Sequence, residues 1–201
     1  TMLSTKATSM GGAFTGFGSD ASASFFNPGA MTFREYSQLS LGASFIFSST
    51  SYLSPYAGNT DMEDGVQVPL HVYGIGLLNE KTAIGISVNT PYSLHTTWDD
   101  NWTGRYVARE TQLKAVYVQP SISYELSETF GIGGGPVIVF GKSYFSKAIP
   151  LSSAQGEAGM ELDGKSIGFG FNIGLFYKPT DEFSMGLDYR SAVKMNVNDG
   201  D

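Results

Sequence analysis

The chain has 201 residues, 12 Lys plus Arg against 19 Asp plus Glu for a formal net charge of −7, and no cysteine. The absence of a basic stripe excludes nucleic acid as a partner, because phosphate binding needs clustered Lys and Arg; the absence of cysteine excludes disulfides, thiolate metal sites and cysteine nucleophiles. The 25 Gly, 14 Phe and 11 Tyr favour strands and tight turns over helices, and no apolar run approaches the ~20 residues of a membrane-spanning helix.

Residues 1–33 stand apart from the rest. The run from Met10 to Met31 is small and glycine-rich and shows no strand period. Asp20 has the side chain of an N-cap for a short helix through Phe26, since its carboxylate accepts an orphan backbone N–H. Pro28 disfavours helical geometry at Asn27, so that helix is expected to stop there. The segment has too few apolar residues to fold alone. It reads either as a flexible tail or as a plug packed inside something larger.

From Gln38 onward the period is two. The first strand places Leu39, Leu41, Ala43, Phe45 and Phe47 on one face. The second, about Val66 to Leu78, changes apolar phase near Tyr73, which suggests a bulge. The third, Thr82 to Tyr92, has Ile84, Ile86 and Val88 opposite Gly85, Ser87 and Asn89. The fourth, Gln112 to Leu126, sets Val116, Val118, Pro120, Ile122 and Tyr124 against Tyr117, Gln119, Ser121 and Ser123. The fifth spans about Thr129 to Tyr144. The sixth has Ile167, Phe169, Phe171, Ile173, Leu175 and Tyr177 opposite glycines and Asn172. The seventh has Phe183, Met185, Leu187 and Tyr189 opposite Ser184, Gly186, Asp188 and Arg190.

The connections alternate in length. Asn79–Lys81, Ser127–Glu128 and Pro179–Glu182 are short; Ser48–Gly65, Tyr92–Ala108 and Phe145–Asp163 are long. In an antiparallel meander this puts every short turn at one end and every long loop at the other, the asymmetry of an outer-membrane barrel. The nearly uncharged face fits lipid, and the glycine-rich face carrying Glu125, Asp188 and Arg190 fits a lumen. A soluble barrel would also alternate, but with the apolar face inward. Tyr36, Tyr124, Tyr177 and Tyr189 near strand ends suit interfacial girdles. Seven strands leave an open edge, which lipid does not tolerate, so the chain is expected to be a fragment; pairing of two copies is the less economical solution.

Three ordered blocks of residues resemble the FadL/TodX family of outer-membrane transporters. The first is Ser9 to Phe14 through Asp20 to Ala23 and Phe26-Asn27-Pro28. The second is Tyr73-Gly74-Ile75-Gly76 through Asn89 to Tyr92. The third is Trp98 and Asp100 through Trp102 to Tyr106, then Pro120 to Tyr124; a fainter block is Leu187 to Ser191. The resemblance implies an all-β fold: a transmembrane antiparallel β-barrel of about fourteen strands, even-numbered as such barrels are, with about seven present here. It implies that residues 1–33 form a small luminal hatch with short helices and that residues 34–201 form the N-terminal half of the barrel. It implies passive uptake of long-chain fatty acids or other hydrophobic ligands across the outer membrane of a Gram-negative-type bacterium, without enzyme activity, metal or cofactor. Outer-membrane lipid and lipopolysaccharide are the surroundings, and the full-length protein is expected to be monomeric. The ligand would land in a groove among extracellular loops, enter a luminal pocket and leave sideways at a kinked third strand. The hatch commonly reads Asn-Pro-Ala-Gly, whereas this chain has Asn27-Pro28-Gly29-Ala30.

Each candidate residue has a plainer role beside its functional one. Phe14, Phe17, Phe25 and Phe26 are expected either to line the hatch side of a ligand pocket or to pack the hatch against the wall. Trp98 and Trp102 suit a loop groove or an interfacial anchor. Arg105 suits a ligand carboxylate or a brace to Asp99 or Asp100, the brace being favoured. Arg190 faces the lumen by alternation and suits pairing with Asp188 or hatch carboxylates, or ligand contact. Asn89, Thr90 and Pro91 mark a lateral gate or simply a strand end, since proline cannot donate to a ladder. A general diffusion porin or structural barrel is the rival function. A lipid hydrolase using His71 is remote, because His71 and His95 are the only histidines and no G-x-S-x-G is present. No carboxylate–histidine cluster has metal spacing.

Overall fold

The computed structural model describes residues 3–54, 58–152, 156–197 and 199–200. The chain begins with α1 (Thr5–Ser9), α2 (Ala23–Phe26) and a 3-10 helix, Pro28–Phe33. The strands are β1 (Gln38–Ala43), β2 (Ile46–Ser48), β3 (Ser51–Ser54), β4 (Gly58–Asp61), β5 (Gly65–Gln67), β6 (Leu70–Asn79), β7 (Thr82–Thr97), β8 (Glu110–Ser127), β9 (Phe130–Pro150), β10 (Glu157–Tyr177), β11 (Met185–Arg190) and β12 (Asp199–Gly200). One sheet has the order β1-β6-β7-β8-β9-β10-β11, with β12 also pairing β10; β2 pairs β5, and β3 pairs β4. Every pairing is antiparallel.

The two faces of the sheet differ as alternation requires. On one face Leu39, Leu41, Phe169 and Leu187 are 66–71% exposed. Apolar side chains held that far out of a sheet are stable in contact with lipid and costly in water. Tyr36, Tyr124, Tyr177 and Tyr189 are exposed as well. The other face holds Tyr73, Ala83, Ser87, Asn89, Gln119, Val137, Asn172 and Phe176, all buried. Residues 3–33 cover much of it, and their Ala23, Phe25, Ala30 and Met31 form one core with Tyr73, Ile75, Ala83 and Phe176. Tyr73 reaches up from the wall to donate to the Leu3 carbonyl at 2.5 Å.

This packing explains the phase change near Tyr73. β6 runs in unbroken register from His71↔Asn89 to Leu77↔Ala83, with no bulge at Tyr73. Leu70 and Val72 face outward, and Tyr73 and Ile75 turn inward because the N-terminal helices supply an apolar surface there. The irregularity of this pair lies instead between Leu77 and Asn79, at the turn.

The short helix also follows its local chemistry, with one shift. Asp20 Oδ1 accepts from the Ser22 N–H at 2.9 Å and from the Ser22 hydroxyl, fixing the turn before α2 rather than capping it directly. The helix stops at Asn27, one residue before Pro28.

Three expected boundaries move. β7 continues past Pro91 to Thr97. The region read as a long loop over 145–163 is largely a hairpin, with β9 and β10 paired over 21 residues from Phe130↔Tyr177 to Pro150↔Glu157. The loop 48–65 likewise contains β3 and β4. In these outer parts β9 loses the alternation, with Tyr144-Phe145 and Ala148-Ile149 as adjacent apolar pairs, whereas β10 keeps it at Ala158, Met160 and Leu162.

Candidate functional site

The Asn27-Pro28-Gly29 turn is seated on wall glycines. A Cβ on Gly174 would lie 2.1 Å from Asn27 Oδ1, one on Gly133 would lie 2.5 Å from the Pro28 backbone, and one on Gly131 would lie 2.4 Å from the Gly29 carbonyl. The wall therefore touches the segment backbone to backbone. Asn27 is fully buried and fixes the contact: its Nδ2 donates to Thr15 O at 2.8 Å and Leu175 O at 2.9 Å, and its Oδ1 accepts from Gly29 N at 3.0 Å. Gly29 itself must be small, because its own Cβ would sit 2.7 Å from Gly174 O, whereas Ala30 fills a buried site. The exchanged order of Gly29 and Ala30 thus fits this wall.

The aromatic residues divide. Phe14 is fully buried, with its ring 5.9 Å from Phe17 and 5.2 Å from Phe26. Phe25 is buried between Phe26, Tyr73 and Arg190. Phe17 is 47% exposed. Arg190 faces inward as alternation requires. It meets no carboxylate within ion-pair distance among the described residues; its guanidinium stacks 3.9 Å over Phe25 and donates to Phe25 O at 2.7 Å. Asp188 instead accepts from Asn172 at 2.6 Å. Asn172 in turn accepts from Gln119, whose Nε2 also donates to Ser24 O at 2.8 Å. A chain of polar side chains thus ties α2 to three strands.

At Asn89-Thr90-Pro91 the wall is interrupted. Asn89 pairs with Tyr117, and the next pair is Tyr92 with Ala115. Three steps along β7 face two along β8, so β7 carries one extra residue, a bulge that bends the strand. On its other side the β6 ladder ends at His71↔Asn89. There the Thr90 hydroxyl takes the place of a main-chain partner, accepting from Leu70 N at 2.9 Å and reaching Leu70 O at 3.3 Å. Among the described residues no strand ladder runs beside Pro91–Thr97 on that side. Single contacts resume further out, from Gln67 to His95 O and from Glu63 N to Thr97 O. Pro69 and Pro91 lie on either side of the gap, and neither can donate across it.

Beside this interruption the inner face holds an apolar cavity of about 270 Å³, lined by Tyr92, Ala115, Tyr117, Val139, Met195 and Val197 among others. None of the four phenylalanines read from the sequence lines it. Tyr117 carried a signal: a large aromatic on the otherwise small and polar face of its strand. Val193, Met195 and Val197 alternate with Lys194 and Asn196, but this run lies after the last predicted strand.

The outer loop 98–109 is folded. Trp98 and Trp102 stack at 4.3 Å, Tyr52 meets Trp102 edge-on at 5.7 Å, and Trp102 Nε1 donates to Ala108 O at 2.8 Å. Arg105 braces the loop, but its carboxylate is neither Asp99 nor Asp100. It is Glu157 on β10, at 2.7 Å from Arg105 Nη2, and Tyr106 donates to the same carboxylate. Arg109 lies 3.6 Å from both Glu157 and Asp100. The Arg105 hydrogen bond first, and the Tyr106 hydroxyl next, hold the Glu157 carboxyl down at about 2.

An antiparallel wall with an apolar outside and a covered inside is that of a membrane β-barrel. The chain belongs to the outer membrane protein transport family OMPP1/FadL/TodX, whose model matches residues 2–201. It is 26% identical over 189 residues to a 47 kDa outer membrane protein of Pasteurella multocida, covering 85% of this chain and 43% of that one. It is 27% identical over 222 residues to a long-chain fatty acid transport protein of Escherichia coli O6:H1, covering 96% and 49%. A crystal structure of a Pseudomonas aeruginosa FadL homologue superposes with a TM-score of 0.68 at 22% identity, over 89% of this chain and 49% of that chain, a likeness of fold. The chain thus spans about half the length of the curated relatives it matches.

Proposed function

We propose that this chain is the N-terminal half of a passive outer-membrane channel for hydrophobic molecules, long-chain fatty acids among them. Residues 1–33 act as a luminal hatch and residues 34–201 as wall. The ligand collects against Trp98 and Trp102, enters the cavity beside Tyr92 and Tyr117, and leaves sideways between β6 and β7. The observation that carries this reading is the ladder gap at Asn89-Thr90-Pro91 lying directly beside an apolar cavity. A greasy path suffices for such cargo, since each methylene removed from water contributes about 0.8 kcal/mol. Phe17, exposed at the hatch surface, is the hatch aromatic best placed to meet ligand; Phe14, Phe25 and Phe26 hold the hatch together. Arg105 and Arg190 serve as braces. Lipid and lipopolysaccharide surround the wall, and the full-length protein works as a monomer.

The test uses the full-length protein in liposomes. Replacing Asn89-Thr90-Pro91 by two strand-forming residues removes the bulge and lets β6 pair onward. Saturable fatty-acid uptake is then expected to cease while surface binding persists. Unchanged uptake would remove the lateral exit. Large steady conductance without ligand binding would make the protein a diffusion porin.

A further inference from the structure

Two neighbouring rows of the inner wall carry buried polar atoms left unpaired by the described residues. His71, Asn89 and Tyr117 are direct partners across β6, β7 and β8, and so are Tyr73, Ser87 and Gln119 in the next row. Asn89, Ser87 and Gln119 are each 0% exposed. Yet, among the described residues, both side-chain atoms of Asn89, Ser87 Oγ, Gln119 Oε1 and His71 Nδ1 have no hydrogen-bond partner. Direct cross-strand partners stand about 5 Å apart at Cβ, so these five atoms crowd one patch of wall. Buried polar groups are almost always paired, and such a patch therefore calls for a polar guest.

Its position says which guest. Asn89 is the last paired residue before the gap, and its partner Tyr117 also lines the apolar cavity. An apolar chamber and a polar patch thus share a wall residue. The patch offers donors at Asn89 Nδ2 and Ser87 Oγ and acceptors at Asn89 Oδ1 and Gln119 Oε1, with His71 Nδ1 able to serve as either. Neither row contains Lys or Arg; nearby, Arg190 stacks on the ring and donates to the carbonyl of Phe25 but keeps its Nε unpaired among the described residues, and Lys114 and Lys142 border the cavity. We propose that this patch is a head-group site for an oxygen-bearing polar group, a hydroxyl or carboxyl, on an amphiphile whose apolar part fills the cavity. This rests on the transport reading and narrows it: the channel selects amphiphiles over plain hydrocarbons.

The experiment measures equilibrium binding of 1-dodecanol and dodecane to the folded full-length protein. The wild type is expected to bind dodecanol about tenfold more tightly, the effect of one satisfied hydrogen bond. Asn89→Leu is expected to abolish that preference with dodecane binding unchanged, and Ser87→Ala, which alters little volume, to narrow it severalfold. Equal saturable binding of both ligands by the wild type overturns the head-group site and leaves the transport reading intact, the patch then holding water alone. A dodecanol preference that survives Ser87→Ala and any folded Asn89→Leu also overturns it. No saturable binding of either ligand sinks the transport reading and this site with it.

Discussion

At the scale of single residues, the wall glycines facing residues 3–33 are required by contact. Gly174 adopts ordinary strand geometry, and what forbids a side chain there is Asn27 Oδ1, 2.1 Å from where a Cβ would lie. Asn27 is itself fully buried and cannot swing away without leaving its amide unpaired. Gly174→Ala is therefore expected to destabilise the folded protein by about 1–3 kcal/mol, an overpacking cost. The measurement is the apparent melting temperature of the full-length protein in detergent. As a control, Gly159 has nothing within 4 Å of its Cβ position, and Gly159→Ala should leave the melting temperature in place.

At the scale of elements, the outer loop is held by one carboxylate. Glu157 receives Arg105 and Tyr106 and lies near Arg109, so a single residue of β10 ties the turn containing both tryptophans to the β9–β10 hairpin. Its carboxyl is lowered from an ordinary 4.5 to about 2, so the clamp is fully formed above about 4.5 and is lost as pH falls through about 2. In 5-fluorotryptophan-labelled protein, the 19F resonances assigned to Trp98 and Trp102 should hold steady from pH 7 to 5 and move together at lower pH. In Glu157→Gln that acid transition should vanish; its persistence would show that another group carries it. Sequence reasoning reached this element only in part. It found a bracing role for Arg105 and assigned it to neighbours in the chain, because nothing local shows that a residue 52 positions away arrives on the adjacent hairpin. The strand cores were legible because lipid on one side and the packed N-terminal segment on the other enforce a period of two. The outer half of β9 was not, since the adjacent apolar pairs Tyr144-Phe145 and Ala148-Ile149 break that period, although Ala158, Met160 and Leu162 carry it on in β10. The cavity lining was hidden for a further reason: Tyr92, Val139 and Met195 come from separate places in the chain.

At the scale of the whole molecule, the sheet runs from β1 to β11, and among the described residues both outer strands lack a partner on one side. Unpaired main-chain groups in hydrocarbon are not tolerated, so these edges are where further wall attaches. Residues 1–201 expressed alone and refolded in detergent are expected to associate through those edges. Sedimentation should show oligomers, and Lys or Pro placed on the outer side of β1 should reduce them; a monodisperse monomer would mean that the edges close on each other. The length of the β9–β10 pair has a consequence of height. Its 21 residues extend roughly 70 Å at ~3.4 Å per residue, and a tilted membrane strand uses only about 9–11 of them. The remainder stands some tens of ångströms, roughly 25–35 Å, clear of the hydrocarbon. The tryptophan loop is carried on that projection, fastened at Ala148 N and at Glu157. On the proposed path, a hydrophobic molecule would first meet this protein out among surface sugars and water, and the mast-like hairpin would collect cargo before it reaches the lipid and hand it downward through the wall.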